Sequence, residues 1–173
     1  MSEDRIYNVL FLCTYNSGRS IMAEAILNRE GNGRFRAFSG GSHPTDQLNP
    51  HVVALLKKMN YPTDNMRSKH WSEFARDDAP TMDFVITVCD QLAKETCPAW
   101  PGSPIKAHWG FPDPADFRGK DAEIAALVGE LFGMMYRRIT IFAALPVRSL
   151  NRLALQERMD AIGSMSDLRA GTA

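Results

Sequence analysis

Cys13 and Arg19 stand at the two ends of a short polar loop, with Ser20 directly after, in the pattern C-x5-R-S. These residue types at this spacing suit nucleophilic attack on a tetrahedral oxyanion. A loop that winds into a helix N-terminus aims successive peptide N–H groups inward, and the helix dipole adds positive potential. A guanidinium grips two oxygens at once. The same field favours a thiolate over a thiol, which would make Cys13 a nucleophile at neutral pH. The anion-binding set is then Thr14, Tyr15, Asn16, Ser17, Gly18, Arg19 and Ser20. Ser20 can donate a hydrogen bond to the thiolate, and Asn16 can brace the loop from within. The plainer alternative is a buried structural cysteine followed by an ordinary loop.

Such a reaction also needs an acid for the leaving oxygen. Asp113 and Asp116 both lie on the stretch HWGFPDPAD. An Asp-Pro pair is also a common turn. Cys89 and Cys97 close and follow another apolar run. They fit a zinc half-site, two unrelated core thiols, or a disulfide relay that passes oxidation from the nucleophile outward. The half-site has no partner pair and no histidine cluster nearby. His43, His51, His70 and His108 are scattered, and none reads as a metal ligand. His108, just before the acid stretch, is the one placed to line a site.

These residues need elements to hold them. Residues 6–13, 35–39, 84–88 and 105–109 read as short buried strands. Helical spacing recurs over 20–29, from Pro50 to the Tyr61-Pro62 stop, over 121–145, and over 149–162. A short helix at 72–75 would take Ser72 as its N-cap. The alternation predicts an α/β fold of three layers, with a four-stranded parallel sheet flanked by helices. Ligands in such folds bind at the carboxyl ends of strands. Cys13 and Cys89 both fall there. The 90–96 stretch reads as a polar loop able to move Cys97 toward Cys89. The tail after Gly163 reads as frayed.

The bulk numbers agree with one domain. The chain has 173 residues, 45% of them hydrophobic, with 20 basic and 20 acidic side chains. That balance gives no pull toward nucleic acid or an anionic membrane. No run is long enough to span a bilayer, and the N-terminus lacks a secretory signal, so a cytoplasmic location is expected. Three cysteines make a static disulfide framework a poor reading.

The segment VLFLCTYNSGRSIMAEAIL resembles the phosphate loop of the low-molecular-weight tyrosine phosphatase superfamily, and most of all its arsenate reductase branch. The likeness runs over about residues 6–117. It implies a phosphatase-like domain at 1–145 with flavodoxin-like winding, and a C-terminal helical extension of the same domain at 146–173. The extension either packs on the body or mediates dimers. HWGFPDPA is similar to the family's acid loop, which favours Asp113 over Asp116. TVCDQLAKETCPAW resembles the redox segment of thioredoxin-coupled arsenate reductases.

The resemblance implies that Cys13 attacks arsenate, Cys89 forms a disulfide with Cys13 as arsenite leaves, and Cys97 carries the disulfide outward to thioredoxin, or to glutaredoxin. No metal or organic cofactor is implied for the chemistry. Such relatives often hold potassium beside the loop. Asn16, Glu24 and Ser39 match ligand positions, but the aspartate expected near Ser68 falls on His70, which counts against the ion.

A protein tyrosine phosphatase is the competing reading. It would share Cys13, Arg19 and Asp113. Ala115 and Asp116 follow Asp113-Pro114 where that group has aromatic residues, and Ile21 stands where it has Pro. Both departures favour a small anion, arsenate or phosphate, over phosphotyrosine. A non-catalytic oxyanion sensor is the third reading, though no DNA-reading motif supports it.

Overall fold

The computed structural model describes residues 5–166. Apolar, β-branched and aromatic runs form the strands β1 (Tyr7–Leu12), β2 (Phe35–Gly40), β3 (Phe84–Thr87) and β4 (Ile105–His108). They make one parallel sheet in the order β2-β1-β3-β4. The fold is therefore α/β, as the alternation predicts. β1 is central, and Val9 to Leu12 are buried completely, which is why that run carries no polar residue. Leu12 lies opposite Gly40 on one side and Thr87 on the other.

Helices flank this sheet: α1 (Arg19–Glu30), α2 (Pro50–Lys58), the single turn α3 (Asp90–Ala93), α4 (Asp121–Ala143) and α5 (Arg152–Gly163). Asn49 caps α2, accepting from the N–H groups of His51 (2.9 Å) and Val52 (3.2 Å), with Pro50 at the first helical position. The core is aromatic at its centre. Phe142 of α4 packs against Phe35 (5.0 Å), Phe84 (5.1 Å) and Trp109 (5.8 Å).

Several expectations need correction. The short helix near 72–75 is a 3-10 turn, Trp71–Phe74, and its cap is His70 rather than Ser72. The imidazole Nδ1 accepts from the Ser72 N–H at 3.1 Å, so Ser72 sits inside the turn as the group being capped. The polar stretch after Cys89 is not wholly loop, because Asp90–Ala93 closes a helical turn over the buried Leu92. The 149–162 pattern begins later, at Asn151, which caps α5 by accepting from Ala154 N–H at 2.8 Å. Leu155, Met159 and Ile162 make its buried face, while Leu153 is 69% exposed. That face lies on the body: Trp109 Nε1 donates to the Met159 carbonyl (3.0 Å) and Gln156 Nε2 to the Lys106 carbonyl (2.7 Å). Of the tail, Met165 is tied to Arg138 through its carbonyl at 2.8 Å; residues 167–173 lie outside the described residues.

The sheet order explains the position of the site. From β1 the chain runs to β2 on one side, then crosses to β3 on the other. Connections diverge above the carboxyl ends of β1 and β3, which leaves a crevice there. Residues 13 and 89 sit at that edge.

Candidate active site

The loop from Cys13 to Gly18 is held from outside by its carbonyls. Thr14 O accepts from His43 N–H (2.8 Å), Tyr15 O from Thr45 N–H (3.3 Å), and Ser17 O from Asn49 N–H (2.7 Å). With these carbonyls engaged, the N–H groups of Tyr15, Asn16, Ser17 and Gly18 are left as donors. No described group accepts from them. The first turn of α1 adds its own unpaired donors. Asn16 adopts φ 48, the left-handed region. This arrangement is a nest for an anion. Thr14, Asn16, Arg19 and Ser20 are buried, whereas Tyr15 is 41% exposed at the rim.

Arg19 joins the nest to the acid loop. Its Nη1 donates to the Phe111 carbonyl (3.0 Å), and its Nη2 lies 3.2 Å from Asp113 Oδ2. Asp113 Oδ1 accepts from Ala115 N–H at 2.9 Å, capping the 3-10 turn Pro114–Asp116. The carboxylate is thus fixed at both oxygens. A Cβ on Gly18 would come 3.1 Å from Pro114 Cγ, so the acid loop presses directly on the oxyanion loop. Asp116 has no such contact with Arg19.

Cys13 and Cys89 meet. The Cys13 thiol donates to the Cys89 sulfur, and this bond with burial pushes the Cys13 thiol well above the ordinary range, against the pull of Arg19. Cys89 moves the opposite way, down to about 5, chiefly through that same hydrogen bond. Thr14 adds to the effect: its N–H donates to Cys89 Sγ at 3.4 Å, and its hydroxyl lies at 3.4 Å. The two thiols are thus pushed apart, Cys13 upward and Cys89 downward. Ser20 makes no hydrogen bond to Cys13 among the described residues. Its hydroxyl instead accepts from Asn16 Nδ2 at 2.8 Å, the internal brace expected of Asn16.

Cys97 is elsewhere. It lines a cavity of about 300 Å³ with Leu92, Trp100, Lys106 and His108, on the β3–β4 side. Burial raises its thiol above the ordinary value, with Lys106 opposing. His108 does not reach the oxyanion loop. Its ring bonds Thr87 Oγ1 (2.7 Å) and Asp90 Oδ1 (2.8 Å), tying β4 to the start of α3.

Asn16, Glu24 and Ser39 do converge, but around an ammonium of this chain. Lys69 Nζ lies 3.1 Å from Ser39 Oγ, 3.4 Å from Asn16 Oδ1 and 3.8 Å from Glu24 Oε1. Those oxygens, already turned toward a cation, do not suit a potassium ion as well. Lys69 gave no signal in the sequence, since a lone lysine in an unpatterned stretch is usually solvated. Gly41 is a second such residue. A Cβ there would lie 2.6 Å from the carbonyl oxygens of Cys13 and Thr14, so β2 approaches the loop as closely as glycine allows. A Gly-Gly pair at a strand end beside a ligand loop was the signal available.

This arrangement suits thiol-based chemistry on an oxyanion. A family model for low molecular weight phosphotyrosine protein phosphatase matches residues 8–139, and the chain belongs to that family. Within it, the chain is similar to proteins named arsenate reductase. That of Oceanobacillus iheyensis is 33% identical over 147 residues, covering 83% of this chain and 97% of the relative. That of Bacillus subtilis is 31% identical over 135 residues, covering 78% and 94%. Among solved structures, the arsenate reductase from Archaeoglobus fulgidus matches with a TM-score of 0.63 at 23% identity, over 79% of this chain and 99% of the other. The thioredoxin-dependent arsenate reductase of Corynebacterium glutamicum matches with a TM-score of 0.54 at 24% identity, over 81% and 65%. At such identities the structural likeness speaks for the fold alone.

Proposed function

We propose that this chain reduces arsenate to arsenite, with Cys13 as nucleophile and Cys89 and Cys97 as a disulfide relay. One observation carries the reading: a second sulfur, its thiol shifted downward, lies beside the nucleophile. Hydrolysis of a phosphate ester has no use for it. A two-electron reduction requires it. The relatives named arsenate reductase support the same choice.

The steps are those that the family resemblance implies for these residues. Arsenate enters the nest and Arg19 turns from Asp113 to the anion's oxygens. Cys13 passes its proton across the existing S–H···S bond and attacks arsenic. Asp113, as general acid, gives a proton to the departing oxygen, which leaves as water. Cys89 then loses the proton it took from Cys13 to water and, as thiolate, attacks Cys13 Sγ. The S–S bond forms, the As–S bond breaks, and its electron pair stays on arsenic, giving arsenite. Cys97 next attacks Cys89 and releases Cys13. A dithiol protein, thioredoxin in preference to glutaredoxin, reduces the Cys89–Cys97 bond. Cys97 lines a separate cavity, and in this proposal opening of α3 brings it to Cys89.

The residue set Asn16, Glu24 and Ser39 serves the loop rather than a metal in this proposal. Residues 146–166 form the last part of the same domain. No helix among the described residues is long and apolar enough to cross a membrane.

The test is a coupled assay. Arsenate, thioredoxin, its reductase and NADPH should give arsenate-dependent NADPH loss. An aryl phosphate in a parallel well reports the phosphatase chemistry that Cys13, Arg19 and Asp113 would also support. Silence with arsenate beside brisk phenol release would overturn the proposal.

A further inference from the structure

We infer that the Lys69 ammonium is the built-in cation of the oxyanion loop, a positioning residue that takes the place of a bound potassium ion in this chain. The inference rests on reading the loop as an oxyanion site, not on arsenate reduction.

The ammonium is nearly enclosed, with its side chain 9% exposed. Its three protons have three oxygen partners: the Arg67 carbonyl (2.9 Å), Ser39 Oγ (3.1 Å) and Asn16 Oδ1 (3.4 Å). Glu24 supplies the counter-charge at 3.8 Å and accepts from Ser39 Oγ at 2.6 Å. Four separate pieces of chain thus meet on one positive charge: the oxyanion loop, β2, α1 and the 67–69 segment. Oxygen donors of this kind, a carboxylate with hydroxyl, amide and carbonyl oxygens, are what a hard cation takes. A potassium ion would need the same oxygens and would face the ammonium at contact distance.

The charge acts on catalysis through Asn16. That residue is in the left-handed region, where a side chain with local hydrogen bonds is needed to hold it. Lys69 binds its Oδ1 twice, through Nζ and through its own backbone N–H at 2.9 Å. The amide's other end then faces Ser20 Oγ. With both ends engaged the amide cannot flip, and the loop's N–H groups stay aimed inward. A covalently attached cation does not dissociate, so the nest is set before any anion arrives.

The test is titration calorimetry of inorganic phosphate into the reduced full chain at fixed ionic strength. In choline chloride the wild type should bind phosphate, and exchanging choline for potassium should leave the affinity unchanged. Lys69→Ala should weaken binding about tenfold in choline, the loss of roughly one charge-assisted hydrogen bond. Ammonium or potassium should restore it in this variant alone. Lys69→Met keeps the stem and removes the charge, and should show the same weakening with an unchanged circular dichroism spectrum. Potassium stimulation of the wild type would overturn the inference. So would full affinity in either folded variant, or a loss in Lys69→Ala that neither cation repairs. If phosphate fails to bind the wild type at all, the oxyanion reading of the loop falls, and this inference with it.

Discussion

Cys13 and Cys89 compete for one proton, and the chemistry depends on where it sits. Cys89 is depressed to about 5, so its sulfur stays anionic through neutral pH and is protonated as the pH falls through that value. Cys97 is shifted upward and should be a thiol over the same range. Mass mapping of iodoacetamide adducts across pH should show the Cys89 profile falling only near pH 5, with Cys97 reacting only above its ordinary range. Coincident profiles for the two would contradict the assignment. Substitution separates the steps. Cys13→Ser should abolish turnover of both arsenate and aryl phosphate. Cys97→Ser should release about one arsenite per chain and stop with Cys13 and Cys89 joined, since the third sulfur of the exchange is missing. Continued cycling of Cys97→Ser with thioredoxin would break the proposed order. Gly41→Ala should cost about 1–3 kcal/mol of stability or distort the loop, because its methyl meets two carbonyl oxygens that cannot retreat; chemical denaturation and phosphate binding would show it.

At the level of elements, the sheet and the large helices were readable because their burial leaves a pattern. Val9 to Leu12 had to be a strand buried on both faces, and the switch in sheet order then brought Cys13 and Cys89 to one crevice. The loop was readable because C-x5-R-S needs each residue for a stated reason. The missing parts leave no periodic trace. Four residues, Asp90–Ala93, are too few for a helical period to register. His70 caps through an imidazole, a residue type that rarely signals a helix start. Lys69 acts at the end of a long flexible stem, so its target depends on tertiary packing alone. The contact between Arg19 and the Phe111 carbonyl likewise joins distant segments. In the proposed relay the turn α3 opens to bring Cys97 to Cys89. Amide hydrogen exchange over residues 90–96 should therefore be much faster in the oxidised Cys89–Cys97 form than in the reduced one. Equal protection in the two forms would mean that the turn persists and the relay takes another path.

For the molecule as a whole, α5 closes the fold. Met159 is fully buried and its carbonyl takes the Trp109 indole proton. Met159→Ala should cost about 2–4 kcal/mol in urea unfolding, the usual penalty for a cavity under a large side chain. Arsenate affinity should be less affected, since α5 lies against β4 and away from the oxyanion loop.

Cys97 opens to a cavity of its own, apart from the nest at Cys13. In the proposed relay the oxidant and the reductant visit different doorways, and neither needs the other present. The chain would leave the first encounter carrying its debt as a disulfide and settle it in the second. Steady-state rates measured against arsenate at several thioredoxin concentrations should give parallel double-reciprocal lines, the signature of a substituted-enzyme scheme.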